Sequence, residues 1–138
     1  MKILISFILL VGITFQLSGQ VHDRLHWVIA ADSVEQIQID LIDPYEISKW
    51  DGNQIMVTSE ITIYNASKGL LHFFVEDNKR YDVTDTLQAG ILLLDSYQSH
   101  RAIIESKGQP CHEEVIVKIF MPNKFMESSP TLWLLKED

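Results

Sequence analysis

Cysteine, basic charge and long apolar runs are all scarce in this chain of 138 residues. Cys111 is its one cysteine, so no disulfide within the chain can hold the core together. Lysine and arginine number 11 against 19 aspartates and glutamates, which gives a net charge of −8. Because a surface of that sign repels phosphate, we expect no nucleic-acid partner.

Linkers are scarce as well. The chain has only 6 glycines and 4 prolines, and they form no flexible or low-complexity stretch. It is also too short for two domains of ordinary size. We therefore predict a single domain over residues 20–138.

The only sustained apolar run lies at the N-terminus, where Lys2 precedes apolar residues over 3–13. Gly12, Thr14 and Gln16 break the run, so it is shorter than the roughly 18 to 20 residues that a membrane span needs. This layout is typical of a secretory signal peptide over residues 1–19. We expect cleavage within two residues of Gln20, an exported mature chain in the periplasm or outside the cell, and no transmembrane anchor after cleavage.

Alternation of apolar and polar residues with a period of two dominates the rest of the chain and predicts strands with one buried face. Ser59 interrupts one apolar face and predicts a bend or bulge there. The segments with strand character are residues 27–29, 34–41, 45–50, 54–64, 81–84, 91–94, 101–105, 113–121 and 132–135.

Residues 65–79 differ, because Leu70, Leu71, Phe74 and Val75 recur at helical spacing. We predict a short amphipathic helix there, capped by Asn65 or Ser67 and packed against the strands. The fold class predicted is mainly β: a coiled or solenoid-like β domain, or alternatively a β-sandwich, with this one helix.

Motifs for metal binding or catalysis are weak. His22 and His26 have the spacing of two zinc ligands on a helix, but two ligands do not complete a site, so we predict a solvated N-terminal segment and neither metal nor cofactor. Cys111 and His112 are adjacent, and adjacent strand residues point to opposite faces, which excludes a nucleophile and base pair. His72, on the predicted helix, is interpreted as a half-buried structural residue.

Exposed aromatic residues are the remaining candidates for a site. Trp50 and Tyr97 form a possible binding surface for a carbohydrate or a peptide. Ser96, Ser99 and His100 match a hydrolase only in residue type. We therefore predict that the chain is not an enzyme, with a small unrecognised hydrolase as the weaker alternative.

Five blocks between residues 33 and 125 resemble exported bacterial proteins related to adhesin domains, including the auto-transporter adhesin head (GIN) domain type. The blocks are residues 37–40, 45–50, 55–57, 70–81 and 117–122. The resemblance implies a β-rich module of the cell envelope and no catalytic residues. The function expected from it is binding or scaffolding, with an unidentified envelope component or a second copy of the chain as partner.

Overall fold

The structure is a computed structural model that describes residues 19–137. Residues 1–18 of the predicted signal peptide lie outside this range. Within it no helix is long and apolar enough to cross a membrane. The elements are β1 Gln20–Ala30, β2 Gln36–Asp40, β3 Tyr45–Trp50, β4 Gln54–Tyr64, α1 Lys68–His72, a π-helical turn Phe73–Asp77, β5 Val83–Gln88, β6 Ile91–Ser96, β7 Glu105–Ser106, β8 Gln109–Pro110, β9 Glu113–Pro122, β10 Phe125–Ser129 and β11 Leu132–Leu135.

A four-stranded sheet has the order β1-β4-β9-β3. β1 pairs antiparallel with β4 from Gln20 opposite Tyr64 to Ala30 opposite Gln54, β9 is antiparallel to β4, and β3 is parallel to β9. The register passes through Ser59 without a shift, so the bulge predicted there is wrong. Ser59 instead lies buried on the inner face of a regular strand.

A five-stranded sheet has the order β10-β11-β2-β6-β5. Its strands are shorter, and all of its pairs are antiparallel except that of β2 with β6. A register shift between Glu127 and Ser129 marks a bulge in β10. β7 and β8 form a separate two-stranded ribbon, joined by Lys107 and Gly108 with φ values of 52° and 74°.

The inward side chains of both sheets form one buried cluster. Alternate residues of β2, β4, β6 and β9 reach it, which confirms the inner faces predicted for residues 34–41, 54–64 and 113–121. Burial of each large apolar side chain contributes about 1.5 to 3 kcal/mol. Representative members are Ile37, Ile39, Ile55, Val57, Ile61, Ile63, Leu92, Leu94, Val117 and Ile119.

The helical segment is shorter than predicted, because residues with positive φ bracket it: Asn65 at 59° and Lys79 at 54°. Ser67 is the cap, since its Oγ accepts a hydrogen bond from the backbone N–H of Leu70 at 3.1 Å. Leu71 and Val75 are buried in the core, which confirms the predicted contact with the strands.

Three local predictions are wrong. Residues 101–104 form no strand. The Arg101 side chain instead bonds Asp43 and the backbone oxygen of Arg80, and Ile103 is 77% exposed. His72 is exposed rather than half-buried, because it lies off the apolar stripe of the helix. The N-terminal segment with His22 and His26 is strand β1 rather than a solvated tail.

The strand predicted at residues 81–84 begins only at Val83, and β10 was not predicted. The predicted fold class is nevertheless confirmed at the coarse level. The described residues are mainly β, with one short helical segment packed against the sheets.

Candidate functional site

The structure places the two predicted aromatic residues in different sheets. Trp50 ends β3, its indole N–H donates to the backbone oxygen of Gln54 at 3.0 Å, and its ring lies over Gly52, where a Cβ would clash at 2.0 Å. Tyr97 follows β6 and is 58% exposed. Their role in binding stays a prediction, and they do not lie side by side in one sheet.

A cluster of charged side chains lies at the end of the four-stranded sheet where β9 begins. We call Asp43, Arg80, Tyr81, Arg101 and Glu113 the arginine cluster. The guanidinium of Arg80 donates to both carboxylate oxygens of Glu113, at 2.6 and 3.1 Å, and to the backbone oxygen of Ala102 at 2.6 Å. Such bidentate pairs are strong and fix both side chains.

Arg101 extends the arginine cluster toward β3. Its guanidinium donates to both oxygens of Asp43, at 2.6 and 2.8 Å, and to the backbone oxygen of Arg80 at 3.1 Å. It also lies 5.0 Å from the centre of the Tyr81 ring, a cation–π contact. The segment after β6 is therefore held to the sheet by side-chain hydrogen bonds, in place of the backbone hydrogen bonds that a strand would make.

The turn after the helical segment brings Arg80 and Tyr81 into the arginine cluster. Lys79 has positive φ, and the Arg80 N–H donates to the backbone oxygen of Phe74 at 2.9 Å, a pattern typical of helix ends. The Phe74 ring then lies 5.2 Å from the Arg80 guanidinium. Arg80 keeps only 5% of its surface exposed, so its charge depends on Glu113 for compensation.

Burial and ion pairing shift two pKa values in the arginine cluster. Burial raises the pKa of Tyr81 strongly, and its hydrogen bond to the Glu113 carboxylate raises it further. Burial lowers the pKa of Arg80, but the hydrogen bonds and charge of Glu113 raise it, and the net shift is upward. Tyr81 therefore stays a proton donor and Arg80 a cation well above neutral pH.

Two open grooves flank the arginine cluster. One has a volume of about 380 Å³ and is bordered by Pro44, Glu114 and Ile116. The other has a volume of about 450 Å³ and is bordered by Ile103 and Pro110. Both are lined by the side chains shared between them, which are Arg101, His112 and Glu113. Apolar and polar groups thus alternate along a surface that the ion pairs keep rigid.

Exposed groups at the groove entrance come from the ends of β4 and β9. The Tyr64 hydroxyl donates to Glu114 at 3.2 Å, and the Tyr64 ring centre lies 5.7 Å from that of His112. His112 Nε2 lies 3.6 Å from the Glu114 carboxylate. These three side chains form a small polar and aromatic platform beside the grooves.

The other histidines and the cysteine of the sequence analysis are engaged elsewhere. His22 and His26 hydrogen-bond Thr62 and Thr58 across the strand pair, at 3.2 and 2.9 Å. Cys111 is buried and its Sγ donates to the backbone oxygen of Asn65 at 3.2 Å. Among residues 19–137 no three histidine, cysteine or acidic side chains are arranged as a metal site.

Comparison of the chain with protein-family models, with curated proteins and with solved structures gives no match. The resemblance to adhesin head domains therefore stays a prediction, and the site is interpreted from its own geometry.

Proposed function

We propose that the chain is an exported cell-envelope protein that acts by binding or scaffolding, as an adhesin-like β module. The observation that carries this proposal is the pair of open grooves on either side of the arginine cluster. Concave surfaces lined by apolar groups and a few fixed polar groups are the usual form of binding sites.

The internal pairing of the carboxylates favours binding over chemistry at this site. Asp43 and Glu113 would be the candidate acid and base, but each is held by a bidentate arginine. Both oxygens of each carboxylate already accept hydrogen bonds from an arginine, so neither carboxylate is free to contact a reacting group. The proposal therefore assigns the chain no catalytic activity.

For the fold we propose a β-sandwich rather than a solenoid-like coil. Support comes from the strand order, in which most neighbours are antiparallel and most are not consecutive in the chain, and from the single core shared by the two sheets. A solenoid stacks successive segments of the chain as similar rungs. Circular dichroism cannot separate the two, but an experimental structure of residues 20–138 within the full chain will.

A carbohydrate ligand is the second candidate, and the platform at the groove entrance favours it. Sugars stack on aromatic rings and bond carboxylates, and Tyr64, His112 and Glu114 offer both kinds of contact. The exposed Tyr97 is an additional candidate on the five-stranded sheet side.

Binding is tested with the purified chain and envelope fragments of the producing cell, sedimented together. Glu114→Lys reverses the charge at the groove entrance and is expected to raise the Kd at least tenfold, or by about 1.4 kcal/mol. Glu35→Lys, the same change at an exposed position outside both grooves, is the matched control and should bind as the wild type does. Equal binding by the two variants contradicts the assignment of the grooves.

Export is tested separately by fractionating the producing cell and sequencing the N-terminus of the recovered chain. We expect the mature chain in the periplasmic or extracellular fraction, beginning within two residues of Gln20. Recovery of a chain that still begins at Met1, in the membrane pellet, contradicts the proposed export and cleavage.

A further inference from the structure

Each of the four strands at a sheet edge carries one charged residue at an inward-facing position. The direction follows from the partner, because residues directly opposite in a pair share one face of the sheet. Inward charges at an edge are a known protection against pairing with another sheet, since such pairing would bury them. The four residues and their buried partners are Asp23 with Ile61, Lys49 with Met121, Asp85 with Leu94 and Glu127 with Trp133.

β1 is protected less completely than the other three edge strands. β3 has Pro44 immediately before it, β10 contains a bulge, and β5 is only six residues long. β1 has eleven residues in regular register, and Asp23 lies near its start. Residues 25–30 therefore present a regular edge that, among residues 19–137, is paired on one side only.

The same part of β1 has apolar side chains on both faces. On the inner face, Leu25 and Trp27 are only partly buried at the margin of the core. On the outer face, Val28 is 60% exposed and lies opposite Met56, which in turn lies opposite Phe120. We call Val28, Met56 and Phe120 the apolar row. It runs across three strands and ends at the open edge.

We propose that a second copy of this chain pairs antiparallel with β1, with Val28 opposite Val28 about a two-fold axis. In this register His26 lies opposite Ala30 and Trp27 opposite Ile29, so outer residues meet outer residues and inner residues meet inner residues. The apolar row of one copy then continues into the apolar row of the other copy across the axis. The partly buried Trp27 of each copy becomes covered.

Charge complementarity favours this register over those centred on Arg24 or Asp23. Asp23 falls opposite Ser33 of the second copy, beyond the end of its β1, and so stays outside the paired strands. Arg24 falls beside the turn that follows β1 of the second copy and carries the exposed Asp32, and the two-fold axis repeats this proximity. Shifting the axis to Arg24 or to Asp23 would instead set like charges against each other. Arg24 already bonds Glu60 at 2.9 Å, and its five donors leave groups for Asp32.

Sedimentation equilibrium of the purified full chain, over about 1 to 100 μM, tests the proposal. We expect a monomer–dimer equilibrium whose Kd rises at least about tenfold in Val28→Lys. Ile91→Lys places the same lysine on the outer face of the interior strand β6, at a residue 41% exposed, and is the matched control that should dimerise normally. Circular dichroism checks that both variants are folded.

A charge exchange tests the register itself. Asp32→Arg alone is expected to weaken the dimer, and adding Arg24→Asp is expected to restore it. A wild-type chain that stays monomeric over the whole range overturns the proposal, as does Val28→Lys dimerising like the wild type or a double variant no tighter than Asp32→Arg. The inference uses only the edge of the four-stranded sheet, so it stands or falls independently of export and of binding in the grooves.

Discussion

The two ends of the four-stranded sheet differ in how many of their groups have a partner within the described residues. Where β9 begins, Arg80 and Arg101 are each paired with a carboxylate of the same chain, and the segments around them are held in place. Where β9 ends, Val28 of the apolar row is 60% exposed, and the neighbouring edge of β1 is open within residues 19–137. The comparison teaches that internal ion pairs hold one end rigid, whereas the other end keeps a strand edge that is unpaired within the described residues.

The largest expected effect comes from breaking the pair at the rigid end. Glu113→Gln leaves the nearly buried Arg80 without a counter-charge, which should cost roughly 3 to 5 kcal/mol of unfolding free energy. Urea unfolding followed by circular dichroism measures it. Glu114→Gln, at the next residue but with a side chain 54% exposed, is the control and should change stability by less than about 0.5 kcal/mol. Similar losses in both variants would show that Arg80 does not depend on Glu113.

Alkaline pH should lower the free energy of unfolding through Tyr81, which lies at the same end of the sheet. The raised pKa of Tyr81 means that the folded chain holds the phenol proton at pH values where the unfolded chain, with an ordinary pKa of about 10, has lost it. The stabilisation is therefore complete below pH 10 and declines above it, by up to about 1.4 kcal/mol per pH unit. Urea midpoints measured from pH 8 to 11 should fall more steeply for the wild type than for Tyr81→Phe. Parallel curves would contradict this account.

A smaller effect is expected between the two ends, at Ser59 in the middle of β4. Its Oγ is buried without a hydrogen-bond partner, and the residue is 1% exposed. Ser59→Ala removes an unsatisfied polar group and should raise the unfolding free energy by about 1 kcal/mol. A destabilised variant would show that the hydroxyl has a partner, such as a bound water.

The smallest effect on stability is expected at the open end. Val28→Thr keeps the shape and β-branching of the side chain at an exposed position, so unfolding free energy should change by less than about 0.5 kcal/mol. Self-association should nevertheless weaken, because a hydroxyl replaces a methyl group at the two-fold axis. A variant that associates like the wild type would show that the apolar row does not contribute to self-association.

The strands with clean alternation were predictable, and the arginine cluster was not. Ile55, Val57, Ile61 and Ile63 alternate with polar residues, so periodicity alone identifies their face. Segments held by side chains carry no such periodicity, as at Arg101, whose strand prediction is wrong. The partner of Arg80 is Glu113, thirty-three residues away, and only the turn at Lys79 and the start of β9 bring them together.

β1 shows a second reason why prediction failed. Asp23 on its inner face and Val28 on its outer face interrupt the expected alternation, so only residues 27–29 had strand character in the sequence. The same two residues distinguish the protected part of the edge from the open part. The departures from a simple strand pattern therefore coincide with the surface proposed for assembly.

Hydrogen exchange of the backbone amides at low and high protein concentration tests the contrast between the two ends most directly. The account predicts that amides of residues 25–30 become more protected as concentration rises, because a second copy pairs with that edge. Amides of residues 113–116, at the internally paired end, should exchange at the same rate throughout. Protection of residues 25–30 that does not change with concentration, or a gain confined to residues 113–116, would contradict the account.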